Sequence, residues 1–267
     1  PSATPLGQLT AQRHAQDRAR QPNGFALLPR ADDAYTARMA LIESAQHTLD
    51  LQYYAVNLDA SSASLLDALR KAAARGVRVR LLIDDFNTAG RNAQVLRLAF
   101  VPNIELRLFN PLAGSRTSVA TRVLGGLPRF KRMQQRMHNK LFLADNAVGI
   151  TGGRNLGDAY FGLGDNSNFA DLDVLAFGPI VKTMGASFDQ FWNNELAYPV
   201  ERLVSLSELR NALALEVYAS ELQSAGDNSV PVALDVGQEV RQTVQHMRAK
   251  ADQLPPPMDL RTVPLQW

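Results

Sequence analysis

A histidine and a lysine separated by one residue, His138 and Lys140, stand at the head of an apolar run, Leu141-Phe142-Leu143-Ala144. Strand side chains alternate between faces, so an extended chain projects imidazole and ammonium to the same side and Asn139 to the other. Asp145-Asn146 is a turn signal before a second apolar run, Ala147-Val148-Gly149-Ile150-Thr151, and the spacing predicts a β-hairpin. The second strand ends in Gly152-Gly153, where a chain without Cβ atoms can bring backbone N–H groups to an anion, and Asn155 adds an amide donor. Such a group combines a nucleophile or general acid/base with donors for the oxygens of a phosphate. Asp145 also has a simpler role, since a short acid opening a turn binds that turn's own backbone.

The joint spacing is His-x-Lys, four residues, Asp, six residues, then Gly-Gly-Arg-Asn. It resembles the signature of the phospholipase D superfamily, His-x-Lys-x4-Asp-x6-Gly-Ser/Gly-x-Asn, with His138, Lys140, Asp145, Gly152 and Asn155 at its positions. Gly153 stands where many members carry Ser, a loss of one hydroxyl donor that is common among cardiolipin synthase-like members. The likeness extends from Gly24 to about Trp192. Three further segments, 44–54 (SAQHTLDLQYY), 75–85 (RGVRVRLLIDD) and 157–162 (GDAYFG), are similar to the bacterial cardiolipin synthase C-type branch.

The resemblance implies a mechanism and a cast. A neutral imidazole attacks phosphorus to give a phosphohistidine, and a second histidine from an opposing half protonates the departing alkoxide. His138 is the nucleophile or its acid/base counterpart, in a catalytic set with Lys140 and Asp145. Lys140, Gly152, Gly153 and Asn155 would bind phosphate, and neither metal nor cofactor is implied. The family orients its histidine with a carboxylate from a following strand, here the run Asn168 to Leu175, in which Asp171 and Asp173 alternate onto one face; Asp171 is favoured and Asp173 is second.

Stepping outward to the elements that must hold these groups, helical spacing covers Asp33 to Ala45, Ser62 to Ala74, Ala93 to Phe100 and Met184 to Trp192. Strand patterns cover Thr48 to Val56, Val77 to Ile83 and Ile104 to Phe109, with Arg75-Gly76 closing the helix between the first two. The expected fold is α/β, a mixed and mostly parallel sheet flanked by helices on both faces, with a helical carboxy-terminal extension. Asp84-Asp85 end a strand where ligands approach α/β sheets, or they cap the next turn. With 267 residues, 46% of them apolar, the chain can bury a sizeable core, and no stretch is long enough to span a bilayer. The absence of cysteine excludes thiol catalysis and cysteine-ligated metal.

Net charge is only +2, but Glu105 and Asp145 bracket a window without acids that contains Arg107, Arg116, Arg122, Arg129, Lys131, Arg132, Arg136 and Lys140. Apolar Leu112, Val119, Val123, Leu124, Leu127 and Phe130 are interleaved, as expected of a flap on an anionic membrane surface or of a basic solvated loop; nucleic acid, a less favoured partner, could use the same charges. No second His-x-Lys exists: His14, His47 and His246 lack the following lysine. The superfamily resemblance implies that two halves must meet, within a longer chain or in a homodimer. The expected organisation is an amino-terminal arm (1–22), a catalytic half with one motif (23–200) and a helical linker opening a second half (201–267). In the last segment Leu206 to Ser224 and Val236 to Leu254 read as helices and Thr262 to Trp267 as strand-like. The arm, helical or frayed over Thr10 to Arg20, carries no signal-like apolar stretch. Because the sequence begins at Pro1, an upstream signal or lipid-anchor segment is expected by resemblance. The favoured function is phosphatidyl transfer on an anionic phospholipid such as phosphatidylglycerol, at a bacterial cell membrane to which the protein is peripheral or lipid-anchored. Phospholipase D hydrolysis, a dimeric single-motif phosphodiesterase or nuclease, and a non-catalytic lipid-binding fragment are the alternatives.

Overall fold

The computed structural model describes residues 2–16, 21–85, 93–111, 135–203 and 245–266. Their strands are β1 (Gly24–Leu28), β2 (Thr48–Tyr53), β3 (Arg78–Asp84), β4 (Ile104–Phe109), β5 (Leu141–Ala144), β6 (Val148–Gly152), β7 (Asp173–Phe177) and β8 (Ala197–Pro199). All eight lie in one sheet, ordered β1-β7-β6-β5-β2-β3-β4-β8. The α/β class is as expected, but the sheet is not mostly parallel. Only β2–β3 and β3–β4 run parallel, and the other five pairings are antiparallel. Parallel neighbours need a crossover. The crossovers are α3 (Ala60–Ala74) and α4 (Ala93–Arg97) with its 3-10 continuation Leu98–Phe100; β5 to β7 return through turns and irregular chain instead.

Helices cover both faces. Helices α2 (Ala31–Ser44) and α3 pack Leu41, Leu65 and Leu69 against Leu49, Leu51, Val79, Leu81 and Ile83. On the other face α5 (Ile180–Trp192) packs Val181, Phe188 and Trp192 against Leu82, Leu141, Leu143 and Ala176. Strand β3 therefore divides its side chains between two cores, as a central strand with period-two alternation must.

Several element ends depart from the sequence expectation, some through local caps and some through partners far away in the chain. Helix α3 starts at Ala60 because the Asp59 carboxylate accepts the Ser62 N–H at 3.2 Å, and it stops at Gly76, whose φ of +94° suits a residue without Cβ. Helix α5 starts at Ile180, a turn before the expected Met184, its first N–H satisfied by Asn23 Oδ1 at 2.8 Å. Strand β2 ends at Tyr53 rather than Val56, since Ala55 N–H turns to the Asn155 side chain and Val56 bridges Leu156. The arm forms α1 (Pro5–Gln16), shifted from Thr10 to Arg20; Leu6 is buried, and the Arg13 guanidinium donates to the carbonyls of Leu260, Arg261 and Val263. Only a single bridge, Phe25 to Gln266, represents the strand-like end. The expected cationic flap from Leu112 to Arg132, the helix Leu206 to Ser224 and the first part of the helix Val236 to Leu254 lie outside the described residues; 245–251 is helical.

Candidate active site

Two strand ends deliver the chain to His138. Asp84, fully buried at the end of β3, accepts the Met137 N–H at 2.9 Å and the Arg136 guanidinium at 3.1 Å. Asn110, just past β4, donates to the Gln135 carbonyl at 2.8 Å, and Arg136 reaches the Asn110 carbonyl at 3.3 Å. Met137 is buried in the α5-side core. The backbone on the near side of His138 is thus tied to the carboxyl ends of two parallel strands, where α/β sheets present their ligand sites. Asp84 is a buried anchor for this segment, so its expected capping or ligand role gives way to a positioning one.

Residues 138–140 precede β5 and are not themselves in the ladder, yet the two side chains meet. Lys140 Nζ is 3.0 Å from His138 Nε2 and donates to the His138 carbonyl at 2.8 Å. An ammonium only donates, so opposite a charged Lys140 the contact assigns Nε2 as acceptor and Nδ1 as the ring's N–H. Lys140 is 4% exposed while His138 is exposed, so the amine lies beneath a ring that faces outward. Burial pushes the Lys140 pKa below its ordinary value, and the Asp171 charge opposes the shift. Tyr54, the residue after β2, closes the group: its ring centroid is 5.0 Å from that of His138 at a 56° tilt, and Lys140 Nζ is 5.5 Å from the same centroid. Tyr54 was not anticipated from sequence, although its place at the carboxyl end of a predicted strand was a usable signal.

The other motif residues separate into distinct jobs. Asp145 sits in the β5–β6 turn at φ 52°, 4% exposed, and its carboxylate accepts the N–H groups of Gln46, His47 and Thr48. The length of β5 separates it from Lys140, so in this structure it pins the start of β2 and makes no hydrogen bond to the His138 pair. A Cβ on Gly152 would fall 2.4 Å from the Leu172 carbonyl oxygen, and one on Gly153 would fall 1.8 Å from Asp171 Oδ1. The glycines therefore make room for β7 and for a carboxylate, and the Gly153 N–H is spent on the Leu172 carbonyl rather than held open for an anion. Asn155, 4% exposed, accepts the Ala55 N–H at 3.1 Å and donates to the Tyr160 hydroxyl at 3.0 Å.

Asp171 and Asp173 do not share a strand face, because β7 begins only at Asp173. Asp173 is fully buried; Arg38 Nη2 lies 2.9 Å and Arg154 Nη1 3.6 Å from its Oδ2, and the Arg154 N–H donates to Oδ1. Arg38 also donates to the Tyr53 hydroxyl, and Arg154 to the Leu28 and Pro29 carbonyls. That buried ionic cluster joins α2, β2, β7 and the chain just past β6 and ties Asp173 to two guanidinium groups, which makes it the less favoured orienting acid. Asp171, partly exposed against Gly153 and electrostatically coupled to Lys140, remains the acid on the side of the pair. Among the described residues, no group of three or more His, Asp and Glu side chains is arranged to hold a metal ion.

Residues 39–192, more than half of the chain, match the family model described as cardiolipin synthase, PLD-like domain. This chain belongs to that cardiolipin synthase, PLD-like domain family. The chain is 44% identical over 197 residues to cardiolipin synthase C of Escherichia coli K12, covering 74% of this chain and 41% of the relative. A cardiolipin synthase of Geobacillus kaustophilus is 29% identical over 196 residues, covering 72% of this chain and 36% of that protein. The PLD-like chain thus spans about two fifths of the length of these relatives. Its fold is shared with phosphatidylserine synthase of Haemophilus influenzae at a TM-score of 0.52 and 13% identity, covering 83% of this chain and 50% of that one.

Proposed function

We propose that this chain supplies one half of the active site of a phosphatidyltransferase that works through a phosphohistidine. The carrying observation is the His138 ring with Lys140 Nζ 3.0 Å from its Nε2, on chain tied to the carboxyl ends of parallel strands in a member of this family. An incoming phosphodiester competes for the Lys140 ammonium, which moves to a non-bridging oxygen and frees the Nε2 lone pair. Nε2 then forms a bond to phosphorus as the phosphorus–alkoxide bond breaks, and an acid from the second half protonates the alkoxide. An acceptor alcohol reverses the sequence: its proton goes to that same group, its oxygen bonds to phosphorus, and His138 leaves. Asp171 orients the Nδ1–H and stabilises positive charge on the ring, as the carboxylate of a triad does. Lys140 and Asn155 offset charge on the oxygens.

The second half comes from a longer chain or a second copy, consistent with the two-fifths coverage of the relatives. The substrate is an anionic phospholipid such as phosphatidylglycerol, and the protein is peripheral or lipid-anchored at a bacterial membrane; among the described residues no helix is long and apolar enough to cross one. Mass analysis of phospholipids from cells expressing the longer protein and its His138→Ala variant tests the proposal. Cardiolipin should accumulate only with His138 present, and equal lipid profiles would overturn it.

A further inference from the structure

Asn155 is held at both ends of its amide by residues outside the motif. Oδ1 accepts the Ala55 N–H at 3.1 Å, and Nδ2 donates to the Tyr160 hydroxyl at 3.0 Å. With one end accepting and the other donating, the orientation of the amide is fixed, and one Nδ2 hydrogen is left without a protein acceptor among the described residues.

Tyr160 is itself delivered by a rigid frame. It ends the 3-10 turn Asp158–Tyr160, with its N–H on the Gly157 carbonyl. That turn is fastened to the start of α3 twice: the Asp158 N–H donates to Asp59 Oδ2 at 2.7 Å, and the Ser61 N–H donates to Asp158 Oδ1 at 2.8 Å. Lys250 reaches the same carboxylate from the carboxy-terminal segment at 3.4 Å. On the other side the Tyr160 ring stacks on Phe169, with centroids 4.6 Å apart and planes 21° apart. A phenylalanine would satisfy that stacking equally, so packing does not require the hydroxyl.

We propose that Tyr160 is a positioning residue for phosphoryl transfer: its hydroxyl sets the Asn155 amide so that the remaining Nδ2 hydrogen meets a non-bridging phosphate oxygen. This rests on the phosphohistidine role proposed above for His138. The step it assists is unchanged in its bonds and protons; Tyr160 acts through Asn155 and does not touch substrate.

The test is a double-mutant cycle in the intact lipid-transferring enzyme, with Tyr160→Phe, Asn155→Ala and the pair. Tyr160→Phe lowers kcat about tenfold, as expected for one lost oriented hydrogen bond, with KM within about twofold and an unchanged melting temperature. In the Asn155→Ala background the same change costs less than about twofold. A normal kcat for Tyr160→Phe, or losses that multiply in the pair, overturns the proposal. His138→Ala separates the two claims. If that variant still transfers lipid, the phosphohistidine role fails, and the cycle is then read on inorganic phosphate binding by ³¹P titration. There Tyr160→Phe must weaken binding only when Asn155 is present, and no such weakening overturns the inference.

Discussion

Asp145 provides the sharpest division between a motif position that does chemistry and one that holds the frame. Its Oδ1 accepts from Gln46, His47 and Thr48 at 3.2, 2.7 and 3.0 Å, and Oδ2 shares the Gln46 N–H at 3.1 Å. Asp145→Ala leaves three backbone donors without their charged acceptor and puts a residue intolerant of φ 52° into the turn. At about 1 kcal/mol or a little more for each lost bond, the expected loss is about 3–4 kcal/mol, a large share of the stability of a domain this size. Asp145→Asn keeps one acceptor oxygen and suits the left-handed conformation, so it should cost only about 1–2 kcal/mol. Because the whole of β5 lies between this turn and Lys140, neither change should alter kcat per folded molecule. Urea unfolding gives the stabilities, and turnover at a temperature where Asp145→Asn is fully folded gives the chemistry. An Asp145→Asn protein with normal stability and lost turnover would refute the structural assignment.

Other perturbations probe the site and its support. Gly152→Ala should destabilise by about 2 kcal/mol or more, because its Cβ meets the Leu172 backbone, whereas Gly153→Ala meets only the end of the Asp171 side chain and should melt near wild type while losing turnover. Thermal melts of the pair compared with activity decide this. The lowered Lys140 pKa means that the alkaline limb of the pH–rate profile falls below the ordinary lysine value of 10.5, since turnover needs the ammonium and is lost as pH rises through that pKa. A limb at or above the ordinary value would contradict this. Asp59 is pushed up to about 6 by burial, reinforced by the charge of Asp158. The folded state therefore holds a proton there that the unfolded chain releases near pH 4, so stability should fall as pH rises from about 4 to about 6, by about 1–2 kcal/mol after solvent screening. Asp59→Ser, which keeps a helix cap, should flatten that step in melts taken across the range.

What was legible in the sequence follows from how local each determinant is. The Asp145 turn, the β5–β6 hairpin and the glycine-terminated α3 depend on neighbours within a few residues, and these elements read correctly in kind if not always to the residue. Sheet direction does not depend on local pattern. The alternation of helix and strand before β4 suggested a parallel sheet, but β5 pairs antiparallel with β2, β6 and β7 follow antiparallel in turn, and β1 closes the edge from the other end of the chain. Asp171 and Asp173 show the same limit at the level of chemistry. Two acids at spacing two look equivalent, yet Arg38 from α2 and Arg154 from the chain past β6 bury one in an ion-paired cluster, while Gly153 leaves room for the other beside Lys140. Breaking a buried pair of that kind costs about 3–5 kcal/mol, more than a hydrogen bond to an exposed histidine would return, so Asp173 could not also serve His138 without dismantling the fold around it. Burial is what distinguishes the two acids, and burial is a property of the assembled sheet.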